Sequence, residues 1–363
     1  MRLKPSLDWL LVFVPVAIGL DLFGGGSATW TFLAACVAVI PLAGWLGKAT
    51  EHLAERTTEG IGGLLNATFG NAAELIIALL ALREGLTDVV KASITGSILG
   101  NVLLVMGAAF FAGGVKFEHQ KFNVSGARVQ ATMLTLAAVA LIMPAMFHHL
   151  VPQAARSERT LSIEIAVVLI ATYGAMLLFS LHTHRQLFTG TAAEAAGVGD
   201  VGHASWSLKK SIGVLVGAAA LIGWVSEILV GSVEEAAHAL GMTEIFVGVI
   251  VVAIVGNAAE HSTAVLMARK NRMDLAVGIA VGSSIQVALF VAPVLVFASR
   301  FLGPGPMDLV FTPAEVVAIV LAVWIAGQTT GDGESNWLEG VQLLMVYTIL
   351  GIIFYFLPSA AMH

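Results

Sequence analysis

The sequence contains one cysteine, Cys36, inside an apolar run, so no disulfide framework can hold the chain together. Charge is equally scarce. Asp, Glu, Lys and Arg make up 12% of the residues, about half the roughly 25% usual for soluble domains. The net charge of −6 is small and no basic stripe is present, so no nucleic-acid partner is expected. No His-Glu-x-x-His occurs, and no histidine or cysteine cluster favours zinc or copper, which argues against a membrane zinc protease. What remains is 58% hydrophobic, arranged in apolar runs of roughly 20 residues that recur along the whole length. A soluble core explains one or two such runs, not eleven. The expectation is an all-α integral membrane protein whose first partner is the lipid bilayer.

The predicted spans are 7–23, 29–50, 60–83, 88–112, 127–147, 161–182, 208–231, 244–268, 274–299, 313–330 and 340–357. Arg2 and Lys4 ahead of the first run resemble a signal peptide. No small-x-small cleavage site follows, only Asp21 and Gly24-Gly25-Gly26, so the run reads as a retained span. With the N-terminus inside, Lys and Arg divide 13 inside to 5 outside, a positive-inside bias. This places the N-terminus in the cytoplasm and the C-terminus on the opposite side.

An internal repeat gives the organisation. A shift of 186 residues lays Gly70-Asn71-Ala72-Ala73-Glu74 on Gly256-Asn257-Ala258-Ala259-Glu260. At the same shift Arg83 meets Arg269, Asp88 meets Asp274, and Gly96-Ser97 meets Gly282-Ser283. Residues 1–28 then form an extra N-terminal helix, 29–182 a first five-helix repeat, 183–207 a cytoplasmic linker, and 208–363 a second five-helix repeat. Five spans reverse direction, so the copies are inverted. Inverted repeats mark secondary transporters, with the substrate near the midplane where the copies meet. Channels share the device, so the repeat argues for transport before exchange.

Glu74 and Glu260 fall near the centres of spans 3 and 8, a depth at which an ionisable group is costly and usually functional. Gly70 and Gly256, one turn earlier, permit a helix break and close approach of a neighbour. A break frees backbone carbonyls as ligands where they line a polar cavity. Asn71 and Asn257 add amide oxygens. The bland alternative for these small residues is a packing seam. Spans 4 and 9 carry Ser97, Asn101, Ser283, Ser284 and Gln286; Asn101 aligns with Val287, beside Gln286. Membrane serines often bond only their own backbone, whereas Asn101 and Gln286 are costlier to bury and line a site more readily.

Carboxylate, amide and carbonyl oxygens together make a hard site. Calcium accepts six to eight such ligands in flexible geometry, while magnesium prefers a stricter octahedron. One divalent ion neutralises both glutamates, and so do two protons. Two carboxylates sharing a low-dielectric site resist simultaneous ionisation, so metal and proton compete for the pair. If alternating access is permitted only to the neutralised pair, that competition is an exchange mechanism.

Gly70-Asn71-Ala72-Ala73-Glu74-Leu75 and Gly256-Asn257-Ala258-Ala259-Glu260-His261 resemble the paired signature repeats of the calcium/proton antiporters, the CAX-type branch of the cation/calcium exchanger superfamily. The resemblance covers nearly the whole chain. It implies the fold, export of cytosolic Ca2+ in exchange for H+, Glu74 and Glu260 as ion and proton carriers, and spans 2 and 7 as a moving gate. It implies no enzyme activity and no cofactor; the ions are substrates. Two departures stand out. The linker offers only Glu194 and Asp200, where family members often carry an acidic helix; Glu51, Glu55 and Glu59 could partly substitute, or simply cap a solvated helix end. Asn101 and Gln286 stand where sodium-coupled relatives usually place an extra acid, which favours protons. A sodium-coupled exchanger and a passive divalent channel are the alternatives. Homo-oligomerisation is left open. With no long N-terminal extension, a bacterial cytoplasmic membrane is expected over a vacuolar one.

Other motifs carry less. Gly197-Val198-Gly199-Asp200 matches an intramembrane aspartyl protease pattern but falls in the polar linker, without a second intramembrane aspartate. His148, His149, His182 and His184 lie at span ends, where interfacial solvation explains them. His261 either tunes Glu260 or faces a neighbouring helix.

Overall fold

A computed structural model describes residues 7–24, 27–57, 59–151, 155–184 and 206–357. The predicted linker lies almost wholly outside them, as does Asp200. The described chain is helical nearly throughout. A 3-10 turn, Leu7–Val12, leads into α1 (Phe13–Phe23). Then come α2 (Ala28–Ala54), α3 (Glu59–Phe69), α4 (Ala72–Arg83), α5 (Thr87–Gly114), α6 (Val124–Leu150) and α7 (Ser157–Thr183). After the linker follow α8 (Leu208–Ala239), α9 (Glu244–Gly256), α10 (Ala258–Arg269), α11 (Met273–Ala298), α12 (Pro313–Thr329) and α13 (Trp337–Phe356).

Among the described residues seven helices are long and apolar enough to cross a bilayer, and α9 with α10, bent by 61°, makes an eighth if the pair is one span. The predicted segments 7–23, 60–83 and 313–330 are helical but too short or interrupted to meet that measure alone. The interruptions fall where the glycines suggested. α3 ends at Phe69 and α4 restarts at Ala72, while α9 ends at Gly256 and α10 restarts at Ala258. Asn71 and Asn257 stand at the restarts, with φ −99° and −94°, outside regular helix.

Burial sorts the helices into centre and rim. The most apolar stretches of α5 and α11 are 83% and 72% buried, against 22% for α7 and 28% for α13. Rim helices turn large apolar side chains outward, among them Val139, Val168, Val216, Trp224 and Ile352. In water such a surface would aggregate; in lipid it is the required exterior. Within the protein, α5 packs on α9, α10 and α13, and α11 packs on α6, α7 and α10. The most extensive pairing of all is α2 with α8.

Backbones approach closely where α5 meets α9 and where it meets α13. A Cβ on Gly96 would overlap the carbonyl of Val249, and one on Gly248 would meet Ala92. The partner of Gly96 under the repeat, Gly282, is looser: its nearest neighbour would be Gln130 Nε2 at 4.0 Å. A short antiparallel pairing of Gln120–Lys121 with Glu334–Ser335 fastens one end of the bundle. There Gln120 Nε2 donates to the carbonyl of Ala268 and to Asn271 Oδ1, both at 2.9 Å, closing the end of α10.

Backbone cannot give way as a flexible side chain can. Gly96→Ala is therefore expected to destabilise the protein by about 1–3 kcal/mol, the usual cost of overpacking. Gly282→Ala should leave stability unchanged. Thermal unfolding in detergent compares the two.

Candidate ion site

The repeat predicts which residues are related; the structure adds that they bond across copies. Asn257 Nδ2 donates to Ser97 Oγ at 3.0 Å, and Ser283 Oγ lies 3.3 Å from Asn71 Oδ1. These contacts are images of each other under the 186-residue shift. The second polar group repeats the pattern. Asn101 Nδ2 donates to Asn257 Oδ1 at 3.2 Å, and Asn71 Nδ2 donates to Gln286 Oε1 at 2.5 Å. Gln286 sits one position earlier than the counterpart of Asn101, a difference its extra methylene spans. Each motif asparagine is thus held by the serine and the amide of the opposite copy.

Three of the four amides in these pairs, Asn71, Asn101 and Asn257, are each less than 5% exposed, as are Ser97 and Ser283, while Gln286 is half-buried. Buried amides cost free energy unless bonded, so the crossed bonds specify the register of α5 and α11 against the two helix breaks. π-helical turns occupy Gly100–Val105 in α5 and Val287–Val291 in α11, directly beside Asn101 and Gln286. Such turns recur at functional sites because they re-aim side chains. Ser284 takes the bland role, bonding the carbonyl of Ala280 at 3.1 Å.

The two glutamates are not equivalent. Glu260 accepts a short hydrogen bond from Ser283 Oγ. Glu74 lies against Gly256, where a Cβ would stand 3.0 Å from its Cγ, so this glycine makes room for the opposite carboxylate. Both Glu74 carboxylate oxygens are buried without a hydrogen-bond donor among the described residues, as is Asn101 Oδ1. Ser226 and Tyr347 also hold unpartnered hydroxyls, but a hydroxyl can rotate and either donate or accept. An ionised carboxylate can only accept. Buried without donors, it needs a proton or a cation. Gly256, which Glu74 touches, stands one helical turn before Glu260, so both carboxylates sit at the same break. Gly70 adjoins Gln286, whose Oε1 would lie 3.9 Å from a Cβ there.

Seven of the ten predicted residues, Asn71, Asn257, Ser97, Asn101, Ser283, Gln286 and Glu260, thus join in crossed contacts, Gly70 and Gly256 pack against Gln286 and Glu74, and the Glu74 carboxylate is bonded to none of them. Among the described residues no three His, Cys, Asp or Glu side chains converge as a resident metal centre. His261 keeps Nε2 buried and unbonded beside Glu260. His148 pairs with Glu158 at 3.0 Å and His184 stacks on Phe179, as span-end histidines would. One buried carboxylate went unforeseen. Glu315, 2% exposed, accepts from Thr95 Oγ1 at 3.1 Å and closes a capping box with Thr312. The Thr312-Pro-Ala-Glu315 spacing is its sequence signal.

The chain resembles known proteins along nearly its whole length. The family model described as sodium/calcium exchanger protein matches residues 27–182 and again 210–356. A Ca(2+)/H(+) antiporter of Bacillus subtilis is 47% identical, aligned over 96% of this chain and 99% of its own. One from Aphanothece halophytica is 44% identical over 96% of each chain. The structure of native YfkE superposes with a TM-score of 0.84 at 43% identity, covering 97% of this chain and all of its own. The H+/Ca2+ exchanger CAX shares the fold, with a TM-score of 0.70 at 14% identity, covering 96% of this chain and 91% of its own.

Hydrogen bonds between membrane helices contribute on average about 0.6 kcal/mol and at most about 1.7. A double-mutant cycle of Ser97→Ala with Asn257→Ala should give a coupling in that range. Ser284→Ala with Asn257→Ala should give none. Unfolding free energies in a single detergent check both.

Proposed function

The chain belongs to the sodium/calcium exchanger protein family, and on that premise we propose how it exchanges cytosolic Ca2+ for H+ across a membrane. It is an integral membrane Ca2+/H+ antiporter, and Glu74 and Glu260 are the residues on which ion and protons compete. The observation that carries this reading is the Glu74 carboxylate, buried, without a donor among the described residues and packed against Gly256, one turn before Glu260. A Ca2+ ion supplies two positive charges to the pair and accepts oxygen ligands in flexible number. Glu74, Glu260 and Asn101 Oδ1 offer such oxygens. Two protons neutralise the same pair. Whichever occupies the site makes it electrically compatible with the bilayer interior, and the empty ionised pair is not.

Asn71, Asn257, Ser97, Ser283, Asn101 and Gln286 hold the two broken helices in register. Gly70 and Gly256 provide the breaks. The family model matches the chain in two stretches, and the contacts of Asn71 and Asn257 exchange under the 186-residue shift. Both support an inverted pair of five-helix repeats, with an extra N-terminal helix and eleven membrane-crossing segments in all. α2 and α8, the counterparts under that repeat, form the gate that exposes the pair to either side. The positive-inside count puts the N-terminus in the cytoplasm, and the bacterial relatives favour a cytoplasmic membrane.

In proteoliposomes an imposed pH gradient should drive uptake of radioactive Ca2+, and a sodium gradient should not. Glu74→Gln and Glu260→Gln should each abolish the uptake. Retained uptake in both variants would sink the assignment, and sodium-driven uptake would favour the sodium-coupled reading.

A further inference from the structure

At one end of the bundle a side chain outside the ion site binds both gate helices. Trp206 stands two residues before α8, and its indole lies against the end of α2. Its ring centroid is 4.7 Å from that of His52 and 5.9 Å from that of Trp45. Its carbonyl accepts from Arg56 Nε at 2.7 Å. Lys210, in the first turn of α8, holds its ammonium 4.3 Å above the same indole. The contact extends to the first helix, because Trp45 Nε1 donates to Asp8 Oδ1 at 2.9 Å. His52 in turn pairs with Glu55 at 3.2 Å.

These contacts differ in kind from the packing along α2 and α8. Along their lengths the buried residues of α2 and α8 are mostly small and apolar, with a few hydroxyls such as Thr31, Thr50, Ser226 and Ser232, so the packing there is weakly directional. At this end the partners are an aromatic face, a cation above it and a hydrogen-bonded carbonyl, each of which fixes a direction as well as a distance. Rings and cation interleave from both helices. Moving α2 without α8 would part the indole from His52 and Trp45, or from Lys210.

We propose that Trp206 is a positioning residue for exchange: it staples the ends of α2 and α8, so that the two gate helices switch as one body. The proposal rests on the reading of α2 and α8 as the gate. Packing alone would make Trp206 a stability residue with no bearing on turnover.

The test uses the full chain in proteoliposomes, with Trp206→Ala, Trp206→Phe and Lys210→Met. Initial rates of pH-driven Ca2+ uptake are measured across Ca2+ concentrations. Spin labels at Leu53→Cys and Ile212→Cys, on a Cys36→Ala background, report the α2 to α8 distance. The maximal rate of Trp206→Ala should fall about tenfold with KM within about twofold, as for loss of a gating element, and its distance distribution should broaden. Trp206→Phe should keep more than about half the rate, because stacking survives, and Lys210→Met should fall between the two. A wild-type maximal rate in Trp206→Ala overturns the proposal. So does a loss of rate with an unbroadened distance distribution. If the unsubstituted protein shows no pH-driven uptake, the exchange reading fails by itself, and the distances alone still decide the staple.

Discussion

Two asparagines, each bonded to the opposite half of the chain, are the constraint on which the rest of this structure depends. Asn71 and Asn257 stand where their helices break, and a break inside a bilayer leaves polar groups that lipid cannot satisfy. The crossed bonds to Ser283, Gln286, Ser97 and Asn101 satisfy their side chains. They also require α5 and α11 to lie at the centre of the bundle, where both are mostly buried. From that placement follow the close approach at Gly96 and the site of the two glutamates beside the breaks. α6, α7, α8 and α13, the least buried of the long helices, form the apolar rim.

Within this frame the two carboxylates have unequal surroundings. Glu260 has a serine donor, and Glu74 has none among the described residues. A site in which every oxygen was satisfied by the protein would hold its carboxylates without a cation and offer little reason to take one up. A site with no donors would be too costly to keep ionised during release. One partnered and one unpartnered carboxylate lies between these limits. That is the condition for a group that must load and unload on each cycle.

Much of this was legible in the sequence because the relevant signals are local. Apolar runs marked the helical segments, and the repeated Gly-Asn-Ala-Ala-Glu marked both breaks and both glutamates. The shift of 186 residues even paired Ser97 with Ser283. What escaped depends on how distant segments meet. Nothing in the chain order says that Asn257 reaches Ser97 rather than Ser283, since either serine is one helix away in some arrangement. The difference between Gly96 and Gly282 was invisible because both stand in the same Gly-Ser pair, and only packing shows that one faces backbone and the other a side chain. Glu315 carried a capping signal whose burial depended on Thr95, over 200 residues away. Trp206 gave no signal at all, as its partners come from the far end of α2 as well as from α8.

The central claim is that one Ca2+ and two protons are alternative occupants of the same carboxylate pair. Calorimetry of Ca2+ binding, in buffers of different ionisation enthalpy and across a range of pH, counts the protons displaced. The account predicts that release approaches two protons per Ca2+ as the solution is acidified, and that it vanishes together with tight binding in Glu74→Gln with Glu260→Gln. Ca2+ binding that displaces no protons at any pH would contradict it.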